Sequence, residues 1–158
     1  VGVISLVAGI AVLVGALSGA RDPMRPLAGL FGDSGEPIAP VRFERIKTVV
    51  ELDRRLQAAG RPVMLDFYAD WCVTCKEMER YTFSDPKVAA RLSGLVLLQV
   101  DVTANDEDDK ALLKRYRLFG PPGIIFFDAG GQENRSVRVI GYQPPQRFLQ
   151  SIDLAVSL

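Results

Sequence analysis

The 158-residue sequence has no histidine and only two cysteines, Cys72 and Cys75. A structural zinc site usually takes four cysteine or histidine ligands, so zinc is disfavoured unless a second chain supplies some of them. A cysteine protease needs an imidazole base, and an iron–sulfur cluster usually needs four thiolates. Haem attachment needs a histidine after the second cysteine, where this chain has Lys76. What remains is a dithiol that opens and closes as a disulfide.

The stretch that holds both cysteines reads YADWCVTCKEMER. Two plainer interpretations of the pair are two small buried residues or a merely structural bridge. The flanking pattern is specific, and a CxxC spacing is typical of reactive thiols. It therefore favours redox catalysis over both alternatives.

The bulk composition predicts one compact domain with no nucleic-acid partner. Lysine and arginine together number 19, as do aspartate and glutamate, so the formal net charge is zero. The basic residues form no cluster that would suit a phosphate backbone. A length of 158 residues fits a single core, once one apolar segment is set aside.

That apolar segment covers residues 1–20 and contains no charge and no proline. About 20 apolar residues at about 1.5 Å each span the ~30 Å hydrocarbon core of a bilayer. A signal peptide or a buried core helix is the alternative, but a signal peptide should begin with Met and basic residues. We therefore expect a transmembrane helix over residues 1–20, within a chain that is longer than this sequence.

Residues 21–40 are rich in proline and glycine and show little periodicity, which predicts a linker. A folded domain is expected over residues 41–158. Its patterns predict the order β-α-β-α-β-α-β-β-α, with a short extra helix after the CxxC helix. Such alternation is typical of an α/β fold whose central mixed, mainly parallel sheet carries helices on both faces, and the final hairpin adds an antiparallel edge.

Capping residues and charge patterns mark the ends of three predicted helices. Thr48 and Glu51 have the spacing of a capping box, and Ser84 or Asp85 is expected to cap a helix with Pro86 in its first turn. Acidic residues begin the helix after Asn105 and basic residues end it, which suits the helix dipole.

The CxxC motif follows an apolar strand directly and opens a helix. The first thiol at a helix start faces unpaired N–H groups and the positive end of the dipole, and both favour the reactive thiolate. Cys72 is therefore expected to be the more exposed, attacking sulfur. Cys75, one turn later and more buried, is placed to resolve a mixed disulfide.

With the segments LDFYADWCVTCK and FGPPGIIFF, the chain resembles the thioredoxin family over residues 41–158. The resemblance implies a redox-active Cys72–Cys75 disulfide without another cofactor. It implies a cis bond before Pro122, in a loop that shapes the substrate groove and continues into Gly123. Simple termination of the preceding helix is the alternative role of Pro121 and Pro122. Trp71 and Tyr68 are candidates to shape the docking surface for a substrate, with core packing as the alternative for Tyr68. Family members often have threonine where this chain has Gly123.

The longer segment YADWCVTCKEMERYTFSDPKV, with LLQVDVTANDEDD and the apolar first helix, is similar to one branch of the family. That branch is the C-terminal domain of bacterial inner-membrane thiol:disulfide interchange reductases. The resemblance implies a periplasmic domain that takes electrons from a membrane domain of the same chain. It would pass them to an N-terminal periplasmic domain, and so indirectly to disulfide isomerases and cytochrome c maturation thioredoxins.

Two carboxylates are further candidates. Asp66 interrupts an apolar strand, where a buried charge is costly, and Glu79 is four residues after Cys75 on the same helical face. Exposure at a sheet edge or in solvent is the plainer interpretation. The resemblance implies that both tune the thiol, and a negative charge near Cys72 opposes thiolate formation.

Three functions remain open at the level of sequence. The first is a protein-disulfide reductase domain that relays electrons. The second is a membrane-tethered oxidase or isomerase, and the third is a noncatalytic binding module. The intact CxxC argues against the third, and the resemblance of the flanking segments favours the first.

Overall fold

The computed structural model describes residues 41–157. The predicted transmembrane helix over residues 1–20 and the predicted linker over residues 21–40 lie outside this range. Among residues 41–157, no helix combines the length and the apolar character needed to cross a bilayer.

Strands and helices follow in the predicted order. The strands are β1 (Glu44–Ile46), β2 (Val63–Tyr68), β3 (Val96–Asp101), β4 (Gly123–Phe127) and β5 (Glu133–Ile140). The helices are α1 (Val49–Ala58), α2 (Val73–Glu77), α3 (Pro86–Leu92), α4 (Glu107–Arg115) and α5 (Pro145–Val156). A π-helical stretch over Met78–Phe83, which the sequence did not predict, continues α2 without a break.

Within the described range, the strands form one sheet in the order β1-β3-β2-β4-β5. β3 pairs in parallel with both β1 and β2, whereas β4 pairs antiparallel with β2 and with β5. The predicted mixed sheet is confirmed, but it is more evenly mixed than the alternation suggested. The reason is that the terminal hairpin joins the sheet through β4, beside the central strand β2.

Apolar side chains pack on both faces of the sheet, as predicted. One cluster joins the sheet to α1 and α4, through Leu52, Leu56 and Leu112. The other joins it to the π-helical stretch, α3 and α5, through residues such as Phe83 and Phe148. The helix that carries the CxxC motif is thereby anchored at its far end on the second face.

The predicted capping residues mostly take their expected places. The Thr48 hydroxyl accepts a 3.2 Å hydrogen bond from the Glu51 amide, but the Glu51 carboxylate accepts from the amide of Lys47 instead of Thr48. The capping box of α1 is therefore only half formed. Asp85, not Ser84, caps α3, and its carboxylate accepts from two amides of the first turn.

The acidic residues at the start of α4 have a second role, in addition to their favourable interaction with the helix dipole. Asp106 and Asp109 form a capping box, and the side chain of Asp109 is fully buried. Lys47 donates to Asp109 at 2.6 Å and lies 2.7 Å from Asp106. Because a buried carboxylate is costly without a partner, this ion pair ties α4 to the segment before α1.

Candidate functional site

Cys72 and Cys75 are joined by a disulfide, with an S–S distance of 2.07 Å and a Cα–Cα distance of 5.3 Å. Cys72 occupies the N-cap of α2, and its sulfur accepts a 3.1 Å hydrogen bond from the amide of Cys75. The position arises because β2 ends at Tyr68 and the chain turns at once into the helix. The predicted placement of the CxxC at the end of a strand and the start of a helix is confirmed.

The two cysteines differ little in exposure while the disulfide is closed. Cys72 is 6 % exposed and Cys75 is 3 % exposed, so both count as buried. The sulfur of Cys75 lies 3.9 Å from the carbonyl oxygen of Phe67 in β2. The order of exposure agrees with the expectation, but the separate roles of attacking and resolving sulfur stay a prediction.

The π-helical stretch connects the CxxC helix to the loop after β5. The Thr82 hydroxyl donates a 2.6 Å hydrogen bond to the carbonyl of Gln143, and the Gln143 amide lies 3.3 Å from the sulfur of Met78. Inserted π turns are often found at functional sites. The Thr82–Gln143 contact joins residues more than sixty positions apart, so it could not be predicted from local sequence.

The peptide bond between Pro121 and Pro122 is cis, as the resemblance implied. The next residue, Gly123, pairs across β4 and β2 with Phe67, whose carbonyl contacts Cys75. The carbonyl of Pro122 accepts a 3.2 Å hydrogen bond from the amide of Gly141. The proline loop therefore lies beside the disulfide and is tied to the end of β5.

Gly123 is buried, and the Leu118 side chain lies where a side chain at position 123 would begin. A Cβ atom at this position would lie only 2.8 Å from Cδ1 of Leu118. Contacts this short do not occur between real carbon atoms, so the Leu118 side chain fills the space of the missing side chain. Sequence reasoning noted the departure but could not name the residue that compensates for it.

Asp66 lies in the central strand β2 and is 4 % exposed, so the sheet-edge alternative is excluded. Gln99 Nε2 donates a 2.7 Å hydrogen bond to Asp66 Oδ2. Burial raises the pKa of Asp66 to about 7, with the negative charge of Glu79 acting in the same direction. The hydrogen bond from Gln99 and the positive charge of Arg45 oppose this rise.

Glu79 lies in the π-helical stretch, and its side chain is exposed. Its charge nevertheless contributes to the raised pKa of Asp66, so one predicted carboxylate acts electrostatically on the other. The spacing argument assumed a regular α-helix through Glu79, whereas the helix becomes π-helical at Met78. Glu79 is therefore a solvated group within electrostatic reach of the buried Asp66.

Exposed apolar side chains stand close in sequence to the disulfide and the proline loop. Trp71 is 62 % exposed just before Cys72, and Phe119 is fully exposed two residues before Pro121. Ile140 and Tyr142, at the end of β5, are exposed as well. Tyr68 is buried in the core, which favours the core-packing alternative for this residue. Among residues 41–157 no cluster of three or more histidine, cysteine, aspartate or glutamate side chains could hold a metal.

Comparison with known families identifies the class of this protein. A family model described as Thioredoxin-like matches residues 50–129, which is 80 of the 158 residues. The solved oxidised C-terminal domain of DsbD from Neisseria meningitidis aligns with 37 % identity and a TM-score of 0.57, over 67 % of this chain and 90 % of that one. A thioredoxin from Thermus thermophilus aligns with 27 % identity and a TM-score of 0.56, over 72 % and 87 %. The chain therefore belongs to the thioredoxin-like family.

Within that family its sequence is similar to the thiol:disulfide interchange protein DsbD. The Ralstonia nicotianae protein of that name is 54 % identical over 99 % of this chain, which spans 26 % of that relative. The Salmonella paratyphi A protein is 52 % identical over 84 % of this chain, which spans 24 % of it. This chain thus corresponds to about a quarter of the length of these curated relatives, at their C-terminal part.

Proposed function

We propose that this chain is a protein-disulfide reductase domain that exchanges its Cys72–Cys75 dithiol with disulfides in partner proteins. The observation that carries the proposal is the position of the disulfide, at the start of a helix and beside the cis-proline loop. Similarity to DsbD supports the same activity.

The chemistry starts from the reduced form. The Cys72 thiolate attacks one sulfur of the partner's disulfide, forms a mixed disulfide and releases the other partner sulfur as a thiolate. Cys75 then attacks the Cys72 sulfur, which closes the intramolecular disulfide and releases the second partner thiolate. Two electrons have passed to the partner, which takes up two protons as its thiols form. The closed disulfide of the structure is the product of this sequence.

The helix start and the carboxylates act on the thiol in opposite directions. The Cys75 amide, which donates to the Cys72 sulfur at the start of α2, favours the Cys72 thiolate, whereas the negative charges of Asp66 and Glu79 oppose it. Asp66 has a pKa of about 7, so it changes charge near neutral pH. We assign to it a second role as proton acceptor or donor for the dithiol, since a general base works best when its pKa lies near the working pH.

The partner is proposed to dock on the surface formed by Trp71, the proline loop and the end of β5. The exposure of Trp71 supports this, because exposed aromatic residues are enriched at protein interfaces. Pro122 and the small residue Gly123 would let the partner's backbone approach the disulfide.

The wider setting also belongs to the proposal. Residues 1–20 would be the last membrane helix of a longer chain whose membrane domain supplies the electrons. The domain would then work on the periplasmic side of the bacterial inner membrane and reduce an N-terminal periplasmic domain of the same protein, and through it disulfide isomerases and cytochrome c maturation thioredoxins. The match to the Ralstonia nicotianae protein over 99 % of this chain, which takes in most of the apolar segment, supports this setting.

Equilibration against glutathione tests the direction of electron transfer. A reductase should have a reduction potential nearer to the about −270 mV of thioredoxin than to the about −120 mV of a strong oxidant. The reduced chain should also reduce insulin disulfides, and a Cys72→Ser variant should not. A potential near that of the strong oxidant would reject the reductase and favour the tethered oxidase or isomerase.

A further inference from the structure

A turn over residues 69–72, the CxxC turn, leads from β2 into the helix that carries the disulfide. It is closed by a 3.0 Å hydrogen bond from the amide of Cys72 to the carbonyl of Ala69. Asp70 and Trp71 are its two central residues. The position of the Cys72 backbone and the direction of the Trp71 side chain therefore both depend on the conformation of this turn.

A side chain from a neighbouring strand end holds the CxxC turn at Asp70. The Asp70 amide donates a 2.8 Å hydrogen bond to the hydroxyl of Thr103, which lies two residues after the end of β3. The same hydroxyl donates to the carboxylate of Asp101, because an ionised carboxylate can only accept. The hydroxyl thus uses its one proton on Asp101 and a lone pair on the turn. A serine could make both contacts, whereas a valine of the same shape could make neither.

These contacts belong to a closed ring of five residues at the ends of β1, β2 and β3. Asp101 also accepts a 2.8 Å hydrogen bond from Arg45 in β1, whose guanidinium lies 5.3 Å from the centre of the Tyr68 ring. Tyr68, the last residue of β2, donates from its hydroxyl to the Asp70 carboxylate at 3.1 Å. Asp70 is therefore held through both its amide and its carboxylate.

The disulfide exchange described above does not use this ring. Asp70 is exposed, so water could satisfy its amide and its carboxylate without any help from other strands. Fixing an exposed turn costs conformational entropy, and the ring supplies the contacts that offset this cost. Such support is expected where the residues that the turn presents must keep a defined geometry toward another molecule. The residues that this turn presents are Trp71 and Cys72.

We propose that Thr103 is a positioning residue that fixes the CxxC turn so that Trp71 meets the partner protein during disulfide exchange. This inference rests on the proposed function, because it concerns how the proposed partner surface is presented. Thr103 acts through the backbone of Asp70 and takes no part in the steps between the sulfurs. A protein substrate should therefore depend on it, whereas a small disulfide that needs no docking surface should not.

The test compares a protein disulfide with a small one in single-turnover reactions of the reduced 158-residue chain. In Thr103→Val, the second-order rate constant with insulin should fall about tenfold, because misplacing a group that orients the substrate is costly. The rate constant with the small disulfide dithiobis(nitrobenzoate) should stay within about a factor of two, since the sulfurs keep their place at the helix start. Thr103→Ser, which retains both contacts, should restore the insulin rate. An unchanged insulin rate in Thr103→Val, or an equal fall with both disulfides, would overturn the inference.

Amide hydrogen exchange checks that the effect passes through the CxxC turn. The Asp70 amide should exchange about tenfold faster in Thr103→Val than in wild type, because its acceptor is lost. Thr48→Val is the matched control, since it also removes a threonine hydroxyl that accepts from an amide, but at the start of α1. It should lower the free energy of unfolding and leave both the insulin rate and the Asp70 exchange unchanged. Unchanged Asp70 exchange in Thr103→Val would also contradict the inference.

Tyr68→Phe provides a second measurement should the valine variant fold poorly. It removes the hydroxyl that binds the Asp70 carboxylate but keeps the aromatic ring. The insulin rate should again fall while the rate with the small disulfide is kept, by about two- to threefold, because water can replace part of this exposed contact. Equal rates for Tyr68→Phe and wild type with insulin would then count against the inference.

Failure of the proposed function gives a different result. The wild-type chain would then not reduce insulin, whichever residue stands at position 103. In that case the comparison is made in the direction of oxidation, with the oxidised chain acting on a reduced unfolded protein and on dithiothreitol. A selective loss with the protein in Thr103→Val would support the positioning role and reject the reductase, whereas equal rates for variant and wild type would reject both.

Discussion

Leu118 occupies the space that a side chain at position 123 would need, with its Cδ1 atom 2.8 Å from the place of a Cβ on Gly123. Gly123 follows the cis-proline directly, so Leu118 packs next to the proposed partner groove. The two residues form a matched pair, small in the strand and large in the loop before it. Changing either one alone should disturb the packing.

Gly123→Thr should lower the free energy of unfolding by up to about 1 kcal/mol, because only the end of the half-buried Leu118 side chain has to move. Its cost should be smaller in a Leu118→Ala background, where the space is open. Urea unfolding of the four members of this double-mutant cycle gives the coupling energy. Gly120→Ala is the control, because no atom lies within 4 Å of a Cβ there. Strict additivity of the two changes would contradict the pairing.

The roles of the two sulfurs can be separated by trapping. Cys75→Ser should accumulate a mixed disulfide between Cys72 and a disulfide-containing substrate such as insulin, because the resolving attack is gone. Cys72→Ser should accumulate much less, since the attacking sulfur is missing. Non-reducing gels followed by mass spectrometry check which cysteine is bonded. Equal trapping through Cys75 would reverse the assignment.

Local sequence patterns were sufficient for most of the fold and for the chemical centre. The strands and helices, the CxxC at a helix start, the buried Asp66 and the cis bond before Pro122 all follow from nearby residues or from a family motif. Each depends on a signal within a few positions, such as an apolar run broken by one acid.

What sequence reasoning missed depends on distant contacts. The π-helical stretch contains both Thr82, which donates to the distant Gln143, and the exposed Glu79, and no local pattern predicted it. Gln99 did have a signal, because it interrupts an apolar strand just as Asp66 does. Only the register between β2 and β3 shows that these two interruptions meet.

The free energy of unfolding should depend on pH because the pKa of Asp66 is raised in the folded chain. Its pKa is about 7 in the folded chain and near 3.8 in the unfolded one, so between these values the folded state binds more protons. The free energy of unfolding should therefore fall as pH rises from about 4 to about 7, by an amount on the order of 4 kcal/mol if Asp66 acts alone. Above pH 7 this contribution should be constant.

The comparison with Asp66→Asn isolates that contribution, since asparagine keeps the shape but does not titrate. Urea unfolding of both oxidised chains at pH 4, 5.5, 7 and 8 gives the difference. The variant should gain stability relative to wild type as pH rises. A difference that does not depend on pH would show that Asp66 keeps an ordinary pKa in the folded state.

The sharpest test of the carboxylates is the titration of Cys72 in the reduced chain. Asp66→Asn should lower the apparent pKa of Cys72 by about one pH unit, because removing a nearby negative charge relieves repulsion of the thiolate while the helix dipole remains. Glu79→Gln should lower it less, since an exposed charge is screened by water and salt. Thiolate absorbance against pH measures both, and the values belong to the coupled cluster.

Glu77→Gln is the matched control for Glu79, because it removes an equal exposed charge from the same helix, two residues nearer in sequence to the disulfide. If Glu79 acts through Asp66, its effect on Cys72 should largely disappear in the Asp66→Asn background, whereas a direct effect on the thiolate would persist there. Insulin reduction by Asp66→Asn should nevertheless be slower than by wild type, despite the larger thiolate fraction at neutral pH, because the group that exchanges the proton is lost. An unchanged Cys72 titration in the double variant would show that Glu79 is only a solvated helix residue and Asp66 only a structural one.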